Sequence, residues 1–160
     1  MDLQALLPQL VRRAIAWAET ISAEAATTGD TLSDAGLVIT RLVGVQFPEQ
    51  IRIVVVNQLP IPTDHELQVA TLQTGLLCPT MTGLTLGYSI IICQGHLSRR
   101  LLSHECRHAY QYETAGGIAM FLPAYLNSIV QVGYWNSPFE QDARAHEVAD
   151  GYATNDLPVM

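Results

Sequence analysis

Basic residues are scarce in this chain: eight Lys plus Arg stand against fifteen Asp plus Glu, giving a formal charge of -7 and a pI near 5.0. No basic stripe is left to neutralise a phosphate backbone, which removes nucleic acid from the expected partners. Cysteine is scarce too. Cys78, Cys93 and Cys106 are odd in number and lack the dense, regular spacing of a disulfide framework. No window is long and apolar enough to span a bilayer. The amino terminus, MDLQALLPQLVRRAIAWAETI, sets two arginines inside its apolar pattern and lacks the order of a secretory signal. The expectation is a cytoplasmic, reduced protein with no transmembrane segment. Repeats, low-complexity segments and compositional linkers are missing as well. With 49% hydrophobic residues and 14% charged, the chain can fill one core, and residues 1–160 are read as one domain.

What is present is hydrophobic periodicity. Leu3, Leu6, Leu7, Leu10, Ala14, Trp17, Ala18 and Ile21 recur at spacings of three and four, predicting a helix over 3–26 that ends between Thr27 and Asp30. A short helix over 33–42 precedes Phe47-Pro48. The β-branched run Ile51 to Val56 predicts a strand buried on both faces or internal to a sheet. Leu59 to Thr63 reads as a loop, and Thr63-Asp64-His65-Glu66 as a capping box for a helix to about Thr74. LTLGYSIIIC, Leu84 to Cys93, predicts a second strand in which Gly87 marks a bulge or a close backbone approach.

Ser98 is placed to cap a helix from Arg99 to about Thr114, closed by Gly116-Gly117. Another helix follows over 118–132, with Pro123 as a kink or a later start, and Ser137-Pro138 opens a last one to about Asp150. The fold class is α+β: a small mixed or antiparallel sheet followed by helices.

The chemistry concentrates in His104-Glu105-Cys106-Arg107-His108. On a helix the two histidines stand one turn and about 40° apart, so both imidazoles can approach one metal ion. Glu105 beside them is offset enough to work as general base and not as ligand. Cys106 points elsewhere and reads as a small buried side chain. A third protein ligand would leave one position open. Glu113 faces the wrong way, whereas Glu140, on the first turn of the last helix, can be brought back across the site. Glu140 has a second reading, because Ser137-x-x-Glu140 is itself a capping box.

HECRHAYQYE followed by GYWNSPFEQDA resembles the gluzincin zinc metallopeptidases, particularly the single-domain minigluzincins and related bacterial proteins, over roughly Gly83 to Glu147. The resemblance implies a zincin-like domain and one zinc ion held by His104, His108 and Glu140. It also implies Glu105 as base, and an upstream edge strand, Thr85 to Cys93, that holds an extended peptide. One position departs from the pattern. Thermolysin-like members carry, four residues after the ligand Glu, an Asp that orients a zinc histidine, and this chain has Arg144. Glu147 and Asp142 are the candidate substitutes.

Tyr112, Tyr134 and His146 are candidates for the donor that stabilises an oxyanion. Tyr134, in the turn before the ligand helix, leads; Tyr112 reads first as core packing and His146 as exposed or hydrogen-bonded. Arg144 reads as solvated or ion-paired, with binding of a substrate carboxylate as the alternative. His65 and His96 read as surface histidines, and Trp17, Trp135 and Phe139 as core or cleft wall. The expected function is zinc-dependent hydrolysis of a peptide or protein substrate. The alternative is a latent or non-catalytic metal-binding module of the same fold.

Overall fold

The computed structural model describes residues 1–150, so the last part of the proposed 1–160 domain lies outside the described residues. Leu3–Thr28 forms α1, Asp34–Leu42 α2, His65–Thr74 α3, Arg99–Ala115 α4, Ile118–Val132 α5 and Pro138–Ala145 α6; Arg52–Val56, Gly83–Leu86 and Ser89–Cys93 form β1, β2 and β3. The architecture is α+β, six helices around a mixed three-stranded sheet in the order β1-β3-β2.

Three predicted features are corrected. The run Leu84 to Cys93 is a hairpin and not one strand: Leu86 pairs with Ser89 across the two-residue turn Gly87-Tyr88. Gly87 has φ +67°, the backbone that a two-residue turn between right-twisted strands requires at its first position. β1 is an edge strand, parallel to β3, with Val55 half exposed, and so is neither internal nor buried on both faces. The cap of α3 is Asp64, whose carboxylate accepts the Leu67 N–H at 3.0 Å; Glu66 pairs with Arg13 on α1 and closes no capping box. Helix α5 runs through Pro123 as one element.

The strand period of two divides the hairpin between two layers. Gly83 and Thr85 lie beside Ile92 and Ile90, on the face covered by α4, where Ile53, Ile90, Ile92, Leu102, Cys106 and Ala109 form the main core. Leu84 and Leu86 lie on the other face, where Leu86 meets Ala18 of α1 and Leu122 of α5. β2 therefore sits between α4 on one side and α1 with α5 on the other. Among the described residues it pairs only with β3, so its outer edge has no strand partner, although Gly83, Thr85 and Leu86 are buried. The edge strand expected over Thr85 to Cys93 thus reduces to Gly83–Leu86, because Ser89–Cys93 is the central strand.

Among the described residues no single helix is long and apolar enough to cross a membrane. Ile90 is fully buried on the central strand. Ile90→Ala should lower unfolding free energy by about 2–5 kcal/mol, the range for truncating a packed aliphatic side chain, measured by urea denaturation; a loss below 1 kcal/mol (about one methylene) would show that the sheet is not the centre of the core.

Candidate metal centre

Helix α4 starts at Ser98, whose hydroxyl oxygen accepts the Leu101 N–H at 3.1 Å, and ends at Gly116 with φ +104°. Helical geometry turns His104 and His108 the same way. Glu140 enters from the first turn of α6. Its capping-box reading is not realised: Ser137 forms no side-chain cap and its hydroxyl lies 2.7 Å from that of Ser128. The Glu140 carboxylate turns inward and is 1% exposed.

The three side chains converge. His104 Nε2 and His108 Nε2 are 3.2 Å apart, His104 Nε2 is 3.3 Å from Glu140 Oε2, and His108 Nε2 is 3.2 Å from Glu140 Oε1. Glu140 Oε2 is buried without a hydrogen-bond partner. Two atoms bonded at about 2.0–2.1 Å to one tetrahedral ion stand about 3.3–3.4 Å apart. A proton bridging imidazolium and carboxylate would instead draw them to about 2.7–2.9 Å. The spacing fits a shared ion, and these residues form a cluster able to hold a metal.

The far nitrogens explain which lone pairs face inward. His104 Nδ1 lies 3.0 Å from Glu147 Oε1, and a carboxylate only accepts, so Nδ1 carries the proton. His108 Nδ1 lies 2.8 Å from Gln111 Oε1, while Gln111 Nε2 donates to the Phe139 carbonyl and to Asp142 Oδ2, both at 2.9 Å. Asp142 in turn receives Arg107 through Nε at 2.8 Å and Nη2 at 3.1 Å. Both imidazoles in their neutral form therefore present Nε2 lone pairs to each other and to Glu140. Partners of this kind fix ring orientation and raise ligand basicity.

Both candidate substitutes for the expected supporting Asp thus have work: Glu147 holds His104, and Asp142 holds His108 through Gln111. Glu147 does so from beyond the helix, since α6 ends at Ala145 and not near Asp150. Arg144 is turned outward, its guanidinium 4.0 Å above the Trp135 ring and donating to the Trp135 carbonyl. Trp135 itself is 69% exposed, correcting its reading as core or cleft wall.

Glu105 is 5% exposed and borders the cluster. The Thr85 hydroxyl lies 2.7 Å from its Oε2 and 3.0 Å from its backbone carbonyl. Gly83 approaches the other oxygen so closely that a Cβ there would stand 2.5 Å from Oε1. Tyr125, on α5, donates to Glu140 Oε1 at 2.7 Å. Tyr134 lines the same cavity as Glu105 and Glu140; burial, followed by the nearby carboxylates, pushes its hydroxyl well above the usual range and keeps it a neutral donor.

The remaining candidates separate cleanly. Tyr112 packs edge-on against Phe121, His146 Nδ1 contacts the Asp142 carbonyl at 2.8 Å, and His65 and His96 are exposed. Phe139 packs on Phe121 and Tyr125, and Trp17 lines the cavity. Glu113 faces away and receives the Tyr88 hydroxyl at 2.7 Å. Cys106 is fully buried beside Thr40, its thiol pushed up to about 12 by desolvation.

Thr85, Gln111 and Tyr125 contact Glu105, His108 and Glu140, and their part in the site is not evident from the sequence. Gln111 had a usable signal, three residues after His108 on one helix face. Thr85 and Tyr125 had none, because they arrive from other elements.

Burial pushes the His104 imidazole down, but Glu140, Glu105 and Glu147 outweigh it and raise the group to about 9. With only protons in the site, His104 is therefore charged at pH 7, and a metal must displace that proton. Divalent-metal binding should release protons at pH 7 and strengthen as pH rises toward 9. Calorimetry in buffers of different ionisation enthalpy checks this, and an enthalpy independent of buffer contradicts it.

No protein-family model matches the chain, and no curated protein or solved structure matches it.

Proposed function

We propose that the chain is a zinc-dependent peptide-bond hydrolase, a zincin-like domain of gluzincin type with one zinc on His104, His108 and Glu140. The observation that carries this reading is the convergence of two Nε2 atoms and the buried Glu140 carboxylate at 3.2–3.3 Å, His104 facing its unpartnered Oε2 and His108 facing Oε1. Two imidazoles and a carboxylate, with no thiolate, are a donor set that suits zinc. When bound, such an ion acts as a Lewis acid that polarises a carbonyl and acidifies water.

The chain's own groups supply the rest. Glu105 stands next to the ligands without sharing their cluster. Thr85 engages its Oε2, so Oε1 remains the atom that accepts a proton from the attacking water and returns it to the leaving amine. Gly83 makes that position possible by offering no Cβ. Tyr134 lines the same cavity and keeps its proton, and would be the donor to the oxygen on which negative charge develops. The edge of β2 that has no strand partner would offer backbone groups to an extended peptide and hold the bond to be cut beside Glu105.

Metal content and cleavage of a peptide pool, measured on the same preparations, test the assignment. His104→Ala should lose both. Glu105→Gln should keep about one zinc per chain and lose at least about 100-fold in kcat/KM, as removal of a general base does. Tyr134→Phe should keep zinc and lose about 100-fold. If wild type binds no zinc, the assignment fails at its root; if Glu105→Gln cleaves normally, the base is misassigned.

Gly83→Ala gives a separate check. A methyl 2.5 Å from Glu105 Oε1 must displace the carboxylate. Zinc content should stay at wild-type level while kcat falls at least about tenfold, by the sensitivity of acid–base chemistry to misplacement. Unchanged kcat would show that the strand does not position Glu105.

A further inference from the structure

Helix α6 stops at Ala145, and residues 147–150 then meet the first turns of α4 without forming helix or strand. Such a segment has no hydrogen-bond ladder of its own. The single contact of Glu147 with His104 does not offset the backbone entropy lost in fixing it.

The further contacts are with α4, upstream of His104. The Val148 N–H donates to Ser103 Oγ at 2.8 Å, and that hydroxyl donates in turn to the Arg100 carbonyl at 2.8 Å. Ser103 is fully buried, so this anchor is shielded from competing water. Asp150 Oδ1 accepts the Arg100 N–H at 3.1 Å, which satisfies one of the amide groups that the start of a helix leaves open. Glu147 itself is a bridge: Oε1 meets His104 Nδ1 at 3.0 Å, and Oε2 receives Arg100 Nε at 2.6 Å. Arg100 and His104 stand four residues apart on one helix, so one carboxylate spans two neighbouring side chains of the same face.

His108 has no such dependence. Its Nδ1 is met by Gln111 of the same helix, and Gln111 is held by the Phe139 carbonyl and by Asp142 of α6. Release of residues 147–150 would free the His104 ring to turn and leave the partners of His108 in place.

We propose that residues 147–150 form a latch on the metal centre, with Arg100 and Ser103 as positioning residues that act on His104 through Glu147 and so set how tightly the metal is held. The latch rests on the metal assignment and not on hydrolysis. Arg100 serves it through its Nε donor: its side chain is 68% exposed, so its charge is screened, and a cation beside the site would by itself repel a metal ion.

Zinc affinity, measured by competition with a chromophoric chelator, tests the latch, and thermal melting of the metal-free proteins checks that each variant folds. Arg100→Ala and Ser103→Ala should each weaken zinc binding at least about tenfold, the lower end of the loss expected when an outer partner of a ligand is removed. Arg100→Gln sets an amide nitrogen where Nε stood and removes the charge; it should bind zinc nearly as wild type does. Because both residues act through Glu147, neither alanine substitution should weaken zinc binding further in a Glu147→Ala background.

Additive losses in that background overturn the latch, as does an Arg100→Gln variant that fails as Arg100→Ala does. Tighter binding in both Arg100 variants would show that charge and not position is what Arg100 contributes, and overturns it too. A wild type that binds no zinc overturns the metal assignment and the latch together. Zinc binding by wild type with equal affinity in Arg100→Ala and Ser103→Ala overturns the latch alone.

Discussion

Two imidazole nitrogens and one carboxylate meet with no hydrogen between nitrogen and carboxylate in the neutral state of the histidines, and the surrounding structure is arranged to hold that contact. Each Nε2 faces inward because the opposite nitrogen has given its proton outward, to Glu147 or to Gln111. Three electron-rich groups at 3.2–3.3 Å repel one another unless a positive charge lies between them. Burial of Glu140 sharpens the conflict, since water cannot solvate the carboxylate. A shared metal ion, as proposed, would resolve it at that one point.

Holding three groups so close requires several elements. Helix α4 carries both histidines, α6 carries Glu140, α5 anchors Glu140 through Tyr125, and the segment after α6 delivers Glu147. The Arg107–Asp142–Gln111 chain ties α4 to α6 a second time, and Arg107 also reaches the Val43 carbonyl at 2.7 Å, at the end of α2. On the opposite side β2 sets Glu105, with Thr85 engaging one oxygen and Gly83 leaving room for the other. The proposed ligands and the proposed base are thus held by different neighbours, so loss of one set need not destroy the other.

The local rules of helix formation made much of this legible in advance. His104, Glu105 and His108 depend on one element with clear caps at Ser98 and Gly116, and the three predicted ligands do converge. Glu140 was ambiguous because a capping box and a ligand share one pattern; the inward turn of its carboxylate is a tertiary outcome. Thr85 and Tyr125 were hidden for the same reason, as their contacts depend on strands and helices distant in sequence, whereas Glu147 was among the expected partners of a histidine and does meet His104. The hairpin was misread as one strand because apolar residues continue on both sides of Gly87-Tyr88. The edge position of β1 was missed because β-branched composition reports a strand and not its place in the sheet.

The most direct test of a shared ion is X-ray absorption at the zinc edge, on protein loaded with one equivalent of zinc. The account predicts two imidazole nitrogens and carboxylate oxygen at about 2.0–2.2 Å, with a low coordination number and no sulfur. A sulfur shell at about 2.3 Å, or a six-oxygen environment without imidazole, would place the metal elsewhere and contradict the assignment.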